Sequence, residues 1–484
     1  MEPNKIIKNK ELNIWEALIP VIALIAMLAY NVFIFGDDGL SGSNQFILLL
    51  GAVVAGIVGY FNKVSLETML EHIGDNLKSI TIGIIILLLV GSLVAAWLVS
   101  GVIPAMIYYG IKLINPTIFL PTALIIAAVV SVATGSSWTT SATIGVALIA
   151  IGKAMGLPGG MIAGAVVSGA YFGDKMSPMS DTTNMSAAMA GTPLFTHIRY
   201  MAYTTVPTIS ITLLVFVGLS IFSPSQAVEG TSQMLTDISA SFHISPWLFI
   251  IPLIVIVLIV KKIHPVVALF TGVLLGAFGA ILFQPELLAQ LAESKPMNFS
   301  TTYKVLMGIV TEGVDVPTES KSMADLFSVG GMAGMLGTIW LIVCAMIFGG
   351  VMEAIGALTR ISETLLSFAH SIFGLFASTV ASCLAINLTA SDQYLAIVVP
   401  GKMFEKAYKK RGLAPENLSR ALEDSGTVTS AIIPWNTCGA YQSSVLGVSV
   451  ADYFIFAIFN YLSPFMTLLF AAFKIKIREL KTAD

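Results

Sequence analysis

Residues 113–152 read LINPTIFLPTALIIAAVVSVATGSSWTTSATIGVALIAIG, forty consecutive positions without Asp, Glu, Lys or Arg. A spanning helix takes about 20 apolar residues, and a charge at the bilayer centre costs at least ~2.5 kcal/mol, so this run reads as membrane-embedded. It is too long for one straight helix, and its middle, Thr134–Thr143, is the hydroxyl-rich TGSSWTTSAT. The stretch predicts an extra span or a re-entrant hairpin around Gly135, with carbonyls and hydroxyls gathered at one spot. The plainer alternative is that each Ser and Thr only returns its hydroxyl to a carbonyl one turn earlier.

Eleven further charge-free apolar windows flank this one, at 17–36, 39–62, 79–111, 154–173, 200–228, 238–260, 263–285, 326–352, 364–391, 425–451 and 453–473. They predict an all-α polytopic membrane protein of ten to fourteen spans. The whole composition agrees: of 484 residues only 11% are charged and 56% are hydrophobic, against roughly 25% charged in a soluble domain. Soluble enzymes, disordered chains and disulfide scaffolds are excluded. The net charge of -3 offers no basic field for nucleic acid. Cys344, Cys383 and Cys438 lie in apolar stretches and read as small buried hydrophobes. His72, His197, His243, His264 and His370 show no ligand spacing, and no phosphate-binding Gly-rich loop occurs, so neither a cofactor nor ATP-driven transport is expected. The basic start (Lys5, Lys8, Lys10) leads into the first window without a small-residue cleavage signal and reads as a tail before a retained span.

The chain also reads as a duplication. At an offset of about 254 to 256, Gly83 falls on Gly337, Gly101 on Gly356, the Gly156–Pro158 corner on Gly412–Pro415, and Pro178 on Pro434. Basic residues flip between the copies: the GDDG joint at 36–39 has none where Lys261 and Lys262 stand in the second copy, and Lys153 alone faces Lys402, Lys406, Lys409, Lys410 and Arg411. Lys and Arg favour the cytoplasmic side, so the expectation is two inverted-topology repeats with discontinuous helices. The expected division is a cytoplasmic tail at 1–13 and repeats at 14–236 and 237–484 in one membrane domain, with both termini cytoplasmic and the loop from Ser223 to Asp237 outside. Inverted repeats are an architecture of secondary transporters, with the substrate site near the midplane.

Polar patches inside apolar windows locate that site. Thr134, Ser136, Ser137 and Thr139 supply oxygens in the first patch, and hard cations such as sodium prefer oxygen ligands. The second patch, Tyr171–Asn184 (YFGDKMSPMSDTTN), holds Asp174 and Asp181 with Ser177, Ser180, Thr182 and Asn184. Pro178 has no N–H to give to the Asp174 carbonyl, so that residue offers two kinds of oxygen; as a surface turn it would instead pair with Lys175 or Arg199. The second copy has Asn387, Thr389 and Asp392 in one patch, and Asp424, Ser430, Asn436 and Thr437 in the other, where Pro434 frees the Ser430 carbonyl. Glu353, at the end of a charge-free window, is a gate or proton-carrier candidate or a plain helix-end charge. Trp138, Tyr394 and Trp435 either wall the cavity or pack.

The strings TGSSWTTSATIGVALIAIGKAMGLP, SGAYFGDKMSPMSDTTNMS, GTPLFTHIRYM and PWNTCGAY resemble the NhaC family of bacterial sodium/proton antiporters, which also contains proton/malate–sodium/lactate exchangers. The resemblance implies a multi-pass protein of the bacterial cytoplasmic membrane that exchanges sodium for protons, and it places function at Asp174 and Asp181 as the sodium seat. The residues themselves suggest proton and sodium competing for buried carboxylates, Asp174 first, then Asp424 or Asp181, with no covalent chemistry. Expected partners are sodium, the proton and the lipid bilayer, with a small carboxylic acid as the alternative substrate and a homodimer as a candidate assembly. An intramembrane aspartyl hydrolase using Asp174 and Asp424, or a channel, would be the rivals from other classes.

Overall fold

The computed structural model describes residues 12–35, 42–113, 115–222, 231–292, 296–317 and 327–480. Residues 1–11 of the expected tail, the GDDG joint and residues 223–230 of the expected outer loop lie outside these. The chain begins with α1 (Ile14–Phe35), α2 (Ser43–Phe61), α3 (Leu66–Ser79), α4 (Thr81–Val99), α5 (Val102–Leu113) and α6 (Phe119–Thr134). There follow α7 (137–154, with a π segment at Ser141–Gly145), α8 (Gly159–Met176), α9 (Asp181–Ala190) and α10 (Leu194–Phe222). After α11 (Thr231–Ser241) come α12 (Ile250–Val260), α13 (Pro265–Phe283), α14 (Phe299–Glu312), α15 (Leu336–Ala354), α16 (Ala357–Ser367), α17 (Ile372–Thr389) and α18 (Gln393–Lys410). Helix α19 (416–432) passes from α-helix through a π segment at Glu423–Thr427 to a 3-10 stretch at Val428–Ile432, and α20 (Thr437–Leu446), α21 (Val450–Phe454) and α22 (Ile458–Ala472) complete the molecule. Strand pairing among the described residues is confined to Val314–Asp315 with Ser328–Val329 and one bridge, Leu413 with Glu479.

The protein is therefore an all-α polytopic membrane protein. Among the described residues eight helices are long and apolar enough to cross a bilayer alone, and a pair bent by 85°, Leu235–Ser241 with Pro246–Val260, would make nine. Of the remaining windows, 154–173 lies mostly in the single 18-residue helix α8, whereas 425–451 and 453–473 are each divided. Polar patches divide 113–152 into α6 and α7 and 425–451 into the end of α19 and α20, while 453–473 breaks at residues 455–457. Large side chains such as Leu253, Val257, Phe270, Leu274 and Phe278 stay exposed on α12 and α13, as a lipid-facing surface requires.

The elements recur along the chain. Helices α2 and α13 have 19 residues each, as do α4 and α15; α3 and α14 have 14 each, and α9 and α20 have 10 each. Left-handed backbone closes matching helices at Gly101 and Gly356, Gly135 and Ser391, Gly156 and Gly412, and Gly191 and Gly447, at an offset of 255 or 256. The two series clasp one another. In one direction α2 and α3 pack on α15, Gly350 letting the backbone of Ile73 come close. In the other, α13 and α14 pack on α4, where Trp97 Nε1 donates to the Gly272 carbonyl (3.3 Å) and Ser92 Oγ to the Val310 carbonyl (2.9 Å).

Candidate functional site

Each polar patch is a helix break, and each break ends in a capped half-helix. Ser136 caps α7, accepting from Thr139 N–H; Ser180 caps α9, accepting from Thr183 N–H; Asp392 caps α18, accepting from Leu395 N–H; Asn436 caps α20, accepting from Cys438 N–H. These side chains satisfy amides that a helix start leaves open. At the first break the φ of Gly135 is 71°, and a Cβ there would lie 2.7 Å from Met179 Cβ and 2.8 Å from its carbonyl carbon. Only glycine allows both the left-handed turn and the approach of the second break to the first. In the other half Ser391 takes the left-handed position, and its carbonyl accepts from Thr437 N–H at 2.9 Å.

Close packing of α8 on α6 delivers Asp174 to this crossing. A Cβ on Gly169 would lie 2.3 Å from the Leu124 carbonyl oxygen, and one on Gly173 2.4 Å from Ser131 Cβ; small residues four apart let membrane helices touch backbone to backbone. Asp174, the next residue, is buried, and its Oδ2 accepts from Ser137 Oγ (2.7 Å) and Ser137 N–H (3.2 Å) at the start of α7. Its backbone carbonyl, freed by Pro178, accepts from Thr183 Oγ1 (3.3 Å) and Ser177 N–H (3.2 Å). The other hydroxyls of the first patch turn inward on themselves: Thr140 and Thr143 return to the carbonyls of Ser136 and Thr139, and Thr139 Oγ1 donates to Ser136 Oγ. Thr134 Oγ1 and Thr140 Oγ1 are 3.2 Å apart. Asp181 opens α9 with its side chain exposed, within electrostatic range of Asp174, and Asn184, also exposed, donates to the Pro178 and Ser180 carbonyls.

Lys175 turns the other way. It is fully buried and ion-paired with Asp424 on α19, also fully buried, whose second oxygen receives the hydroxyls of Thr204 (2.8 Å) and Thr467. Lys175 thus serves Asp424 rather than Asp174 or Asp181, and Arg199 is exposed. Beside Asp424, Glu423 is fully buried and accepts from Thr182 Oγ1 (3.1 Å) and Ser186 Oγ (2.5 Å) of α9. Adjacent helical positions point about 100° apart, so one residue meets α8 and the other α9. The sequence reading took Asp424 as the carboxylate of that segment and passed over Glu423, although the pair stands together in EDSGT.

A second polar knot braces the other half. Asn387 donates to the Gly426 carbonyl (2.7 Å) and Thr429 Oγ1 (3.0 Å), and Asn436 donates to Asn387 Oδ1 (3.2 Å). Thr437 Oγ1 reaches Asn436 Oδ1 at 3.5 Å, while Ser430 and Thr389 hydroxyls donate to carbonyls of their own helices. Trp138 and Tyr441 stack at 4.0 Å, joining α7 to α20, and Trp435 Nε1 donates to the Leu388 carbonyl (2.9 Å). Glu353 is partly exposed at the end of α15, 3.6 Å from His72 Nδ1. Sequence reasoning also missed Arg420, a fully buried guanidinium on α19; its signal was a lone basic residue three positions before Glu423.

Comparison with known proteins finds that residues 169–475 match the model of the Na⁺/H⁺ antiporter family. The chain is 37% identical over 423 residues to the Na⁺/H⁺ antiporter NhaC of Alkalihalophilus pseudofirmus, covering 87% of this chain and 88% of that one. It is 37% identical over 401 residues to the NhaC of Bacillus subtilis, covering 82% and 85%. It is 33% identical over 459 residues to the malate-2H⁺/Na⁺-lactate antiporter of Bacillus subtilis, covering 94% and 92%.

Proposed function

This chain belongs to the Na⁺/H⁺ antiporter family, and from that premise we propose that it exchanges sodium for protons across the bacterial cytoplasmic membrane by secondary antiport, with no covalent chemistry. One observation carries the reading: three carboxylates, Asp174, Glu423 and Asp424, are buried where broken helices of both series meet, with a single lysine, Lys175, among them. Counted as ionised, that group has two negative charges in excess, which is costly away from water. Protons or a sodium ion relieve the same excess, so the two compete for the same oxygens.

In this reading Asp174, with Ser137 and Ser180 beside it, is the exchanging carboxylate, and Asp181, at the exposed start of α9, passes ions between it and water. Glu423 with Thr182 and Ser186 forms the facing wall. The Lys175–Asp424 pair holds α8 to α19 and keeps the two series in register. The series are inverted in the membrane, both termini are cytoplasmic, and rocking of one against the other exposes the carboxylates to alternate sides. The caps Asp392 and Asn436 and the Asn387 knot keep the second pair of breaks rigid.

Exchange of a small carboxylic acid is the second reading, favoured by the malate/lactate relative. An organic anion needs fixed positive charge, since a helix terminus offers only about half a unit; Lys175 is already committed to Asp424, and Arg420 is enclosed by rings. The deciding experiment is proton flux in vesicles holding only this protein. Sodium alone should dissipate an imposed proton gradient. Collapse that requires malate or lactate as well would replace the cation reading with the organic-acid one.

A further inference from the structure

Arg420 has no part in the exchange just described, and its surroundings are unusual for a guanidinium. The side chain is fully buried and none of its three nitrogens has a hydrogen-bond partner. Rings enclose it instead: Tyr200 lies 4.6 Å from its central carbon, Phe470 5.8 Å and Phe376 5.9 Å. Cation–π attraction of about 2 kcal/mol for a desolvated group does not replace a full set of charge-assisted hydrogen bonds. A buried cation left in this way calls for a partner in another arrangement of the protein.

Its own helix narrows the choice. Residues three and four apart on a helix are neighbours, with Cβ atoms about 5–6 Å apart, so Arg420 can reach Glu416 behind it and Glu423 or Asp424 ahead. Glu416 is taken by Arg478 of the C-terminal segment at 2.5 Å, and Asp424 by Lys175. Among the described residues Glu423 has no ion pair of its own and accepts from the neutral hydroxyls of Thr182 and Ser186. We propose that Arg420 is a built-in counter-cation for Glu423: it rests among the rings while cargo sits between Asp174 and Glu423, and turns onto the Glu423 carboxylate when that cargo leaves. An emptied carboxylate then never stands alone in the bilayer, and sodium must displace an internal rival to bind.

The rings form a cage whose nearest wall is held by the C-terminal segment. Tyr200, the nearest, has its hydroxyl between Asn417 Oδ1 (2.6 Å) and the Lys476 carbonyl, and Arg478 stands over its ring at 5.5 Å. The C-terminal segment is laid along the start of α19 by Ala414 N–H to the Arg478 carbonyl (2.9 Å) and Leu480 N–H to the Gly412 carbonyl (2.7 Å). By occupying Glu416, Arg478 leaves Glu423 as the open partner for Arg420.

This inference rests on the sodium reading, and radioactive-sodium binding to the purified full-length protein separates the two. Wild-type protein that binds no sodium removes the sodium reading itself. Given wild-type binding, Arg420→Gln should tighten apparent sodium affinity about tenfold, the scale of one charge-assisted hydrogen bond, and should slow proton-coupled exchange. In a Glu423→Gln background the same substitution should change affinity by less than about twofold. Unchanged affinity in the single variant, or an equal shift in both backgrounds, overturns the role. If Arg420→Gln does not fold, Arg420→Lys serves, its shorter reach giving a tightening of about threefold that also vanishes with Glu423→Gln; no tightening there overturns the role equally.

Discussion

Adjacent residues with opposite charge do different work in this protein. Asp174 looks to Ser137 and Lys175 to Asp424, so neutralising each has a distinct consequence. Asp174→Asn should reduce sodium-dependent proton flux in vesicles to background while leaving thermal stability near wild type. The amide oxygen still accepts from Ser137, but it carries no exchangeable proton; flux at the wild-type level would assign the proton elsewhere. Lys175→Gln should instead destabilise, by about 3–5 kcal/mol, because it strands a buried carboxylate. The double variant Lys175→Gln with Asp424→Asn should recover most of that loss in thermal unfolding, since no charge is then left without a partner.

The helix break is the device at the scale of elements. Two carbonyls freed by proline are not left to cargo: Asp174's is taken by Ser177 and Thr183, and Ser430's by Ile433 N–H at 3.4 Å. What the breaks supply is the capped helix start, which puts Ser137 N–H and hydroxyl against Asp174. Gly135→Ala tests this. Left-handed backbone at alanine costs about 1–2 kcal/mol, and the added methyl meets Met179. The variant should lose apparent sodium affinity together with stability, whereas Gly191→Ala, left-handed in open space, should lose stability alone.

For the whole molecule, the matched caps, helix lengths and left-handed residues support the proposal of two repeats, tied together by α2 and α3 on α15 and by α13 and α14 on α4. Their inversion has a direct test. In a background without Cys344, Cys383 and Cys438, a single cysteine at Ser225, in the segment outside the described residues, should label from outside an intact cell, and one at Lys409 from inside. Labelling of both from one side would remove the inverted arrangement and, with it, rocking as the means of alternating access.

Much of this was legible in residue order because the bilayer is a severe solvent. Charge is excluded, so its absence marked the embedded windows, and glycine and proline at a constant offset marked the repeated breaks, since few other residues tolerate them. Asp174 and the four patches were legible for the same reason: polar groups in apolar windows need a purpose. Pairing was not. Nothing in the order of residues says that Lys175 crosses to Asp424, that Glu423 meets α9, or that Arg420 is enclosed by Tyr200, Phe376 and Phe470. Those partners lie some 44 to 249 positions apart, and only the packing of α8, α9 and α10 against α19 and α22 decides which oxygen each cation reaches.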